Sequence, residues 1–273
     1  MTGFFRWQVG SKMLGGRLIV DWVDDAKFIV QKGETGLTGN LYCGLMEYED
    51  MAFLLHYLRE TDEFYDVGAN VGAYTILASG VRGCKSYTFE PLPDTYDRLL
   101  DQIKINRIDE LVVPNNKGVG AEPSVLEFTS NLNCANHVNT DPNNKDVVSV
   151  EVTTLDSIDP DHSSIVKVDV EGYESFVLEG GKAFFGNPQV AALIVELNGS
   201  GEKFGISDDD IDRKIRSFGF VAVKYDPKSR SLNEAGKYNT GGNTVYVKNV
   251  EQAAQRCASA EEVTIHTAGD VRI

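Results

Sequence analysis

The chain is predicted to be an α/β protein built on a mostly parallel sheet, and three observations predict it. The stretch Asp66-Val67-Gly68-Ala69-Asn70-Val71-Gly72 joins a strand-like run, Glu63-Phe64-Tyr65, to a helix-like one, Ala73-Tyr74-Thr75-Ile76-Leu77-Ala78. From Glu63 onward, apolar β-branched runs alternate with helical patterns, the signature of parallel strands with helices on both faces. Near the end, Phe220–Tyr225 and Asn243–Lys248 are strand-like with no helix pattern between them, so they are expected to pair antiparallel.

Taken in order, Arg17–Val23 and Lys27–Gln31 read as a hairpin around Asp24-Asp25-Ala26. Between Glu47 and Glu60, Met51, Leu54, Leu55 and Leu58 recur at helical spacing and form one apolar stripe over an end of the sheet. The runs Ser86–Phe89, Leu111–Pro114, Ser164–Val170 and Val190–Leu197 are strands, and Pro93–Asn106, Glu174–Lys182 and Asp208–Ser217 are helices. From Glu122 to Leu155 the pattern becomes a strand pair, Val125–Phe128 and Val147–Val152, bracketing an Asn-rich loop expected to be mobile. Residues from about Glu251 to Ile273 lack strong periodicity and read as a peripheral tail, and no internal repeat is visible.

With 273 residues and 42% hydrophobic content the chain can bury a sizeable core. Its 26 Lys and Arg against 41 Asp and Glu give a net charge of −15, which disfavours a nucleic-acid partner and implies a well-solvated surface. Cys43, Cys84, Cys134 and Cys257 show no paired spacing, so neither a zinc ribbon nor a disulfide framework is expected, and a reducing cytoplasm suits them. The start, Met1–Trp7, leads into no long apolar segment, and nowhere do eighteen consecutive apolar residues occur, so neither signal peptide nor membrane span is expected. Oligomeric state is left open.

A strand, a glycine turn and a helix start make a cradle for a nucleotide-like ligand. Glycine at 68 and 72 permits tight backbone and close approach, and the helix start is expected to offer unpaired N–H groups. Glu90 ends the run Tyr87-Thr88-Phe89 and is followed by Pro91, which places a carboxylate about 20 residues beyond the turn, where ribose hydroxyls bind. In Lys167-Val168-Asp169-Val170-Glu171-Gly172-Tyr173-Glu174 the strand period sends Lys167, Asp169 and Glu171 to one side. A doubly wound sheet sets that strand end beside the glycine turn, at the switch point where ligands bind. The same carboxylates would also serve a helix N-terminus as cap and dipole partners.

Together with Thr154-Leu155-Asp156 and Val177-Leu178-Glu179-Gly180, these motifs resemble the FkbM-type family of S-adenosylmethionine-dependent methyltransferases over roughly Glu47 to Leu197. The resemblance implies a Rossmann-like class I methyltransferase with a seven-stranded sheet whose last strand is antiparallel. It also implies S-adenosylmethionine as cofactor and O-methylation of a sugar, glycan or natural-product hydroxyl. Carried onto this sequence, Asp66, Gly68, Ala69, Asn70 and Gly72 hold the methionine part, Glu90 with Pro91 the ribose and Asn116 the adenine, with Asp169 closing the site. The chain then divides into an annex of hairpin and helix (1–60), a methyltransferase domain (61–250) and the tail (251–273).

Methyl transfer from a sulfonium is an in-line displacement, so an acceptor oxygen must be held roughly 3 Å from the methyl carbon and relieved of its proton. Asp169 and Glu171 are the candidate bases, with His137 in the Asn-rich loop as a second candidate. Asp169, Glu196 and Asn198 offer oxygens to a divalent metal, but a pocket lining without metal is the expectation. An NAD-dependent oxidoreductase would share the strand, turn and carboxylate, yet its fingerprint wants glycine where Asn70 stands. A nucleotide-binding module without catalysis is the remaining alternative.

Overall fold

The computed structural model of the chain describes residues 16–31, 37–129, 137–141 and 143–273. The start at Met1–Trp7, Cys134 and the centre of the Asn-rich stretch lie outside them. The hairpin is strands β1 (Leu18–Asp21) and β2 (Lys27–Val30), paired antiparallel. Helices α1 (Thr38–Cys43) and α2 (Tyr48–Tyr57) follow.

The main sheet is built from β3 (Glu63–Val67), β4 (Lys85–Phe89), β5 (Val112–Asn115), β9 (Ser164–Val168), β10 (Val190–Leu197), β11 (Val221–Asp226), β12 (Ser231–Glu234) and β13 (Gly242–Val247). It has eight strands in the order β12-β11-β13-β10-β9-β3-β4-β5. The pairs β3·β4, β3·β9, β4·β5 and β9·β10 are parallel, and β13 runs antiparallel to both β10 and β11, the predicted end pairing. One strand exceeds the expected seven: β12 folds back on β11 as a hairpin at the edge, within the stretch whose sequence carries no helix pattern. Between β5 and β9 lies a small second sheet of β6 (Gly118–Val119), β7 (Ser124–Thr129) and β8 (Val147–Thr153) in the order β6-β8-β7.

The central strands are buried along their whole length, as a sheet covered on both faces demands. The covering helices carry the expected signals. Helix α4 (Pro93–Asn106), which follows α3 (Ala73–Thr75, running on as a π-helix Ile76–Val81), opens on Pro93 and buries Leu99 and Ile103. Glu174–Lys182, read as one helix, is two: α5 (Glu174–Glu179) and α6 (Lys182–Gly186), broken at Gly180-Gly181. Helix α7 (Asp208–Ser217) is capped by Ser207, has Asp208, Asp209 and Asp210 in its first turn, and carries Lys214 and Arg216 in its last.

The hairpin is stapled to α4 by side-chain amides. Gln102 exchanges hydrogen bonds with the backbone of Ile29 (2.8 and 2.9 Å), and Asn106 does the same with Lys27 (2.8 Å each). The segment 251–273 is not a peripheral tail. Helix α8 (Val250–Ala258) and the short pair β14 (Thr264–Ile265) and β15 (Val271–Arg272) bury Ala253, Cys257, Val263 and Ile265 in the same core as Trp22, Phe53 and Val247. Ile265 bridges Val23, and the His266 N–H donates to the Trp22 carbonyl (2.7 Å). Among the described residues no helix is long and apolar enough to cross a membrane.

Candidate active site

At the carboxyl ends of β3, β4, β9 and β10 the sheet opens into a cleft of about 260 Å³. The glycine turn forms one wall. Gly68 has φ +84°, and a Cβ there would stand 1.8 Å from the Asp169 carbonyl oxygen, so two loops meet backbone to backbone. The N–H groups of the turn are not free. Gly68 and Ala69 donate to the Phe89 carbonyl (3.0 Å each), Asn70 to Glu90 Oε2 (2.9 Å), Val71 to Asn70 Oδ1 (2.8 Å) and Gly72 to the Ala69 carbonyl (2.8 Å). The turn therefore contributes a fixed shape and leaves the polar contacts to side chains.

Those side chains are mostly acidic. Glu90 is 6% exposed and spends one lone pair of each carboxylate oxygen on the N–H groups of Asn70 and Leu92. Burial pushes its carboxyl up to about 7, against the two backbone donors that hold it down. Asp66 accepts from Thr75 Oγ1 (2.7 Å), and burial raises its carboxyl to about 6 in spite of Lys167. Lys167 is the buried cation of the cleft floor: its Nζ lies 2.6 Å from Asp169 Oδ2 and 4.8 Å from the centre of the Tyr74 ring. Burial works against its charge, but Asp169, Glu47 and Asp66 outweigh it and hold the ammonium above the ordinary lysine range. Tyr74 in turn donates to Glu47 Oε2 (2.6 Å), tying the segment before α2 to the cleft.

Beside the glycine turn, Asp169 and Glu171 project from the loop after β9 and Glu196 from β10. Glu171 has φ +53° and Gly172 φ +99°, a left-handed pair that turns the chain sharply. Glu174 braces that turn, its Oε1 accepting from the N–H groups of Val170 (3.2 Å) and Gly172 (3.0 Å). Burial and the neighbouring Asp169 raise both Glu171 and Glu196, the latter to about 8.

The predicted residues Asp66, Gly68, Ala69, Asn70, Glu90, Pro91, Asp169 and Glu171 all line this cleft. Gly72 stands behind it, packed on Leu99. Asn116 is not in the lining, because its amide is used on the carbonyls of Glu90 (2.9 Å) and Pro91 (3.0 Å); its neighbours Lys117, Gly118 and Val119 face the cleft instead. His137 is also absent from the lining; on the small sheet its carbonyl accepts from the Thr129 N–H (3.0 Å) and its N–H donates to Thr129 Oγ1 (3.1 Å). Asn198, the amide considered as a third oxygen ligand, accepts at Oδ1 from the Ser200 N–H (2.9 Å) and is not in the lining. The sequence reading missed Glu47, Tyr74 and Tyr173, and saw in Lys167 no partner for Asp169; the alternation Lys167-Val168-Asp169 was its one visible signal.

This strand order with a single reversed long strand, and a glycine turn facing an acidic strand end, defines a Rossmann-like class I methyltransferase fold. A family model described as the methyltransferase FkbM domain matches residues 66–222, more than half of the chain, and the chain belongs to that family. It is 30% identical over 137 residues to the hexuronic acid methyltransferase AglP of Haloferax volcanii, which covers 49% of this chain and 56% of AglP. The chain thus spans about half the length of that curated relative. Weaker likenesses include the methyltransferase FkbM of Methylobacillus flagellatus KT (15% identity, TM-score 0.48, 70% of this chain and 44% of that one). TYW2 of M. jannaschii, solved with AdoMet, shows 14% identity and a TM-score of 0.44 over 85% of this chain and 84% of its own.

Proposed function

We propose that this chain transfers a methyl group from S-adenosylmethionine to an oxygen of a sugar, glycan or related polar small molecule. The observation that carries the reading is the acidic cleft: Glu90 on the cofactor side faces Asp169, Glu171 and Glu196 across the glycine turn. A sulfonium nucleoside brings a positive charge and a ribose diol to such a lining, whereas the pyrophosphate of a dinucleotide would meet repulsion. When bound, the cofactor supplies the electrophilic methyl group.

The chain's own residues then have separable tasks. Asp66, Ala69 and Asn70 shape the methionine end, with Gly68 and Gly72 making the turn possible, and Glu90 with Pro91 receives the ribose. Glu90 keeps unused lone pairs for two hydroxyl donors. Lys117 and Gly118 take the place of Asn116 at the base end. Asp169 and Glu171 face the acceptor and are the candidates to take its proton, while Lys167 holds Asp169 in place.

The relative's name supports a sugar acceptor of the hexuronic acid class. Such a molecule offers hydroxyls and a carboxylate, and the acidic cleft favours the hydroxyl. The net charge of −15 weighs against a nucleic-acid acceptor, and the free thiols of Cys43, Cys84 and Cys257 suit the cytoplasm expected from the sequence.

Thermal unfolding with S-adenosylmethionine, its demethylated product and NAD tests the cofactor: protection by the first two and not by NAD is expected. Incubation of glycans and uronic acids with methyl-labelled cofactor, followed by mass spectrometry, tests the acceptor. A label that survives mild alkali marks an ether on a hydroxyl; release by alkali marks an ester and sinks the hydroxyl assignment.

A further inference from the structure

The acceptor side of the cleft gathers more oxygen ligands than proton removal needs. Asp169, Glu171 and Glu196 each offer a carboxylate oxygen, and these lie within 4.8 Å of one another. Crowded carboxylates alone are common on an acidic protein; Asn243 distinguishes this group. It is the direct antiparallel partner of Glu196, so both side chains leave the sheet on the same face, with Cβ atoms about 5 Å apart. Asn243 is only 7% exposed, and its Oδ1 has no hydrogen-bond partner. Its amide is hydrogen-bonded to Asp50, so Oδ1 is the carboxamide atom left for a ligand, one register position across from Glu196. A buried acceptor without a protein donor, beside three carboxylates, is a group that a bound cation would satisfy.

We propose that Asp169, Glu171, Glu196 and Asn243 form a site for one hard divalent cation at the acceptor end of the cleft. All four donors are oxygens, the set that Mg²⁺, Mn²⁺ and Ca²⁺ prefer. Oxygens on opposite sides of Ca²⁺ stand about 5 Å apart, close to the spread seen here, and those around Mg²⁺ about 4 Å, so the smaller ion draws the carboxylates in. Lys167 occupies Oδ2 of Asp169 and leaves Oδ1 for the ion. Positions not filled by protein take water, which two neighbouring hydroxyls of an acceptor can replace. The site's existence stands apart from the methyl-transfer reading; its role in holding the acceptor rests on that reading.

The test is a titration of the chelator-dialysed full chain with MnCl₂, without cofactor, following free Mn²⁺ by its paramagnetic resonance signal. One site of unit stoichiometry is expected. Glu196→Gln and Asp169→Asn should each weaken it at least tenfold, Asn243→Ala severalfold, and Glu234→Gln, exposed on the far edge strand, not at all. Thermal unfolding in chelator confirms that each variant is folded, and Asn243→Ala keeps the test open should a carboxylate variant fail. Equal Mn²⁺ binding by the wild type and the folded site variants, or only many weak sites in all of them, overturns the proposal. Protection by S-adenosylmethionine, measured separately, distinguishes the two failures. Protection without a Mn²⁺ site sinks the metal alone, and a Mn²⁺ site without protection sinks the cofactor reading alone.

Discussion

The two halves of the cleft are built on opposite terms. In the cofactor half, from Asp66 to Leu92, every N–H of the turn between Gly68 and Gly72 is bonded within the protein, and both Glu90 oxygens already hold backbone donors. That half is rigid before a ligand arrives. In the acceptor half, Asp169, Glu171 and Glu196 crowd together with Lys167 paired to Asp169 alone among them, Glu171 sits in a left-handed conformation, and Asn243 carries an unmatched oxygen. That half stores charge and strain in excess of its internal partners. The difference fits a site that receives one invariant cofactor on a preformed surface and adapts to its second ligand.

The comparison predicts where mutation hurts most. Gly68→Ala should be the most damaging change, because it strikes the seam between the halves: a Cβ 1.8 Å from the Asp169 carbonyl cannot be accommodated, and φ +84° is unfavourable for alanine. A loss of about 4 kcal/mol or more in urea unfolding is expected, with cofactor protection abolished. A variant within 1 kcal/mol of wild type would show that the two loops are not locked together. Lys167→Met comes second. It keeps the volume but leaves Asp66, Asp169 and Glu47 without their shared cation in a buried setting, and about 3 kcal/mol of destabilisation at pH 8 is expected. Because burial raises the Asp66 carboxyl to about 6, the share of the deficit that comes from its stranded charge should shrink toward pH 5.

What the sequence made legible follows the same division. The cofactor half is encoded by near neighbours: the glycine turn, Glu90 and Pro91 each carry their meaning locally, and of the residues named there all but Gly72 stand in the cleft lining. Asp169-x-Glu171-Gly172-x-Glu174 was legible for the same reason, with Glu174 proving to be the brace of the turn. The acceptor half depends on distant pairings that no local pattern announces. Glu47 meets Tyr74 across 27 residues, and Asn243 meets Glu196 through strand register. The segment 251–273 looked structureless because its apolar residues are few and short-spaced, yet Ile265 reaches the hairpin at Val23. Asn116 was misplaced because an asparagine near a strand end suits a backbone staple as well as a ligand contact.

Glu90→Gln sharpens the contrast on the cofactor side. With its carboxyl pushed up to about 7 by burial, Glu90 is mostly protonated at pH 6 and mostly ionised at pH 8, so its capacity to accept from ribose hydroxyls grows over that interval. Wild-type affinity for S-adenosylmethionine, measured by calorimetry, should rise by up to about tenfold from pH 6 to pH 8. The variant should bind at least tenfold more weakly at pH 8 and show a flatter profile. A profile unchanged by the substitution would remove Glu90 from the ribose site.

The smallest effect is expected on the acceptor side, at Glu174, and its sign is the informative part. Burial raises this carboxyl to about 7, above its ordinary value near 4.5, so the folded state binds the proton more tightly than the unfolded chain does. Such a group stabilises most below pH 4.5, and its contribution is lost as pH climbs through 7. Both backbone donors point at the same oxygen, Oε1, which glutamine reproduces. Glu174→Gln should therefore match wild type near pH 5 and exceed it by on the order of 1 kcal/mol at pH 8, read from urea unfolding at the two pH values. A variant that is instead less stable at pH 8 would mean that the ionised carboxylate, through its bonds to Val170 and Gly172, is what holds the Glu171-Gly172 turn in its left-handed form.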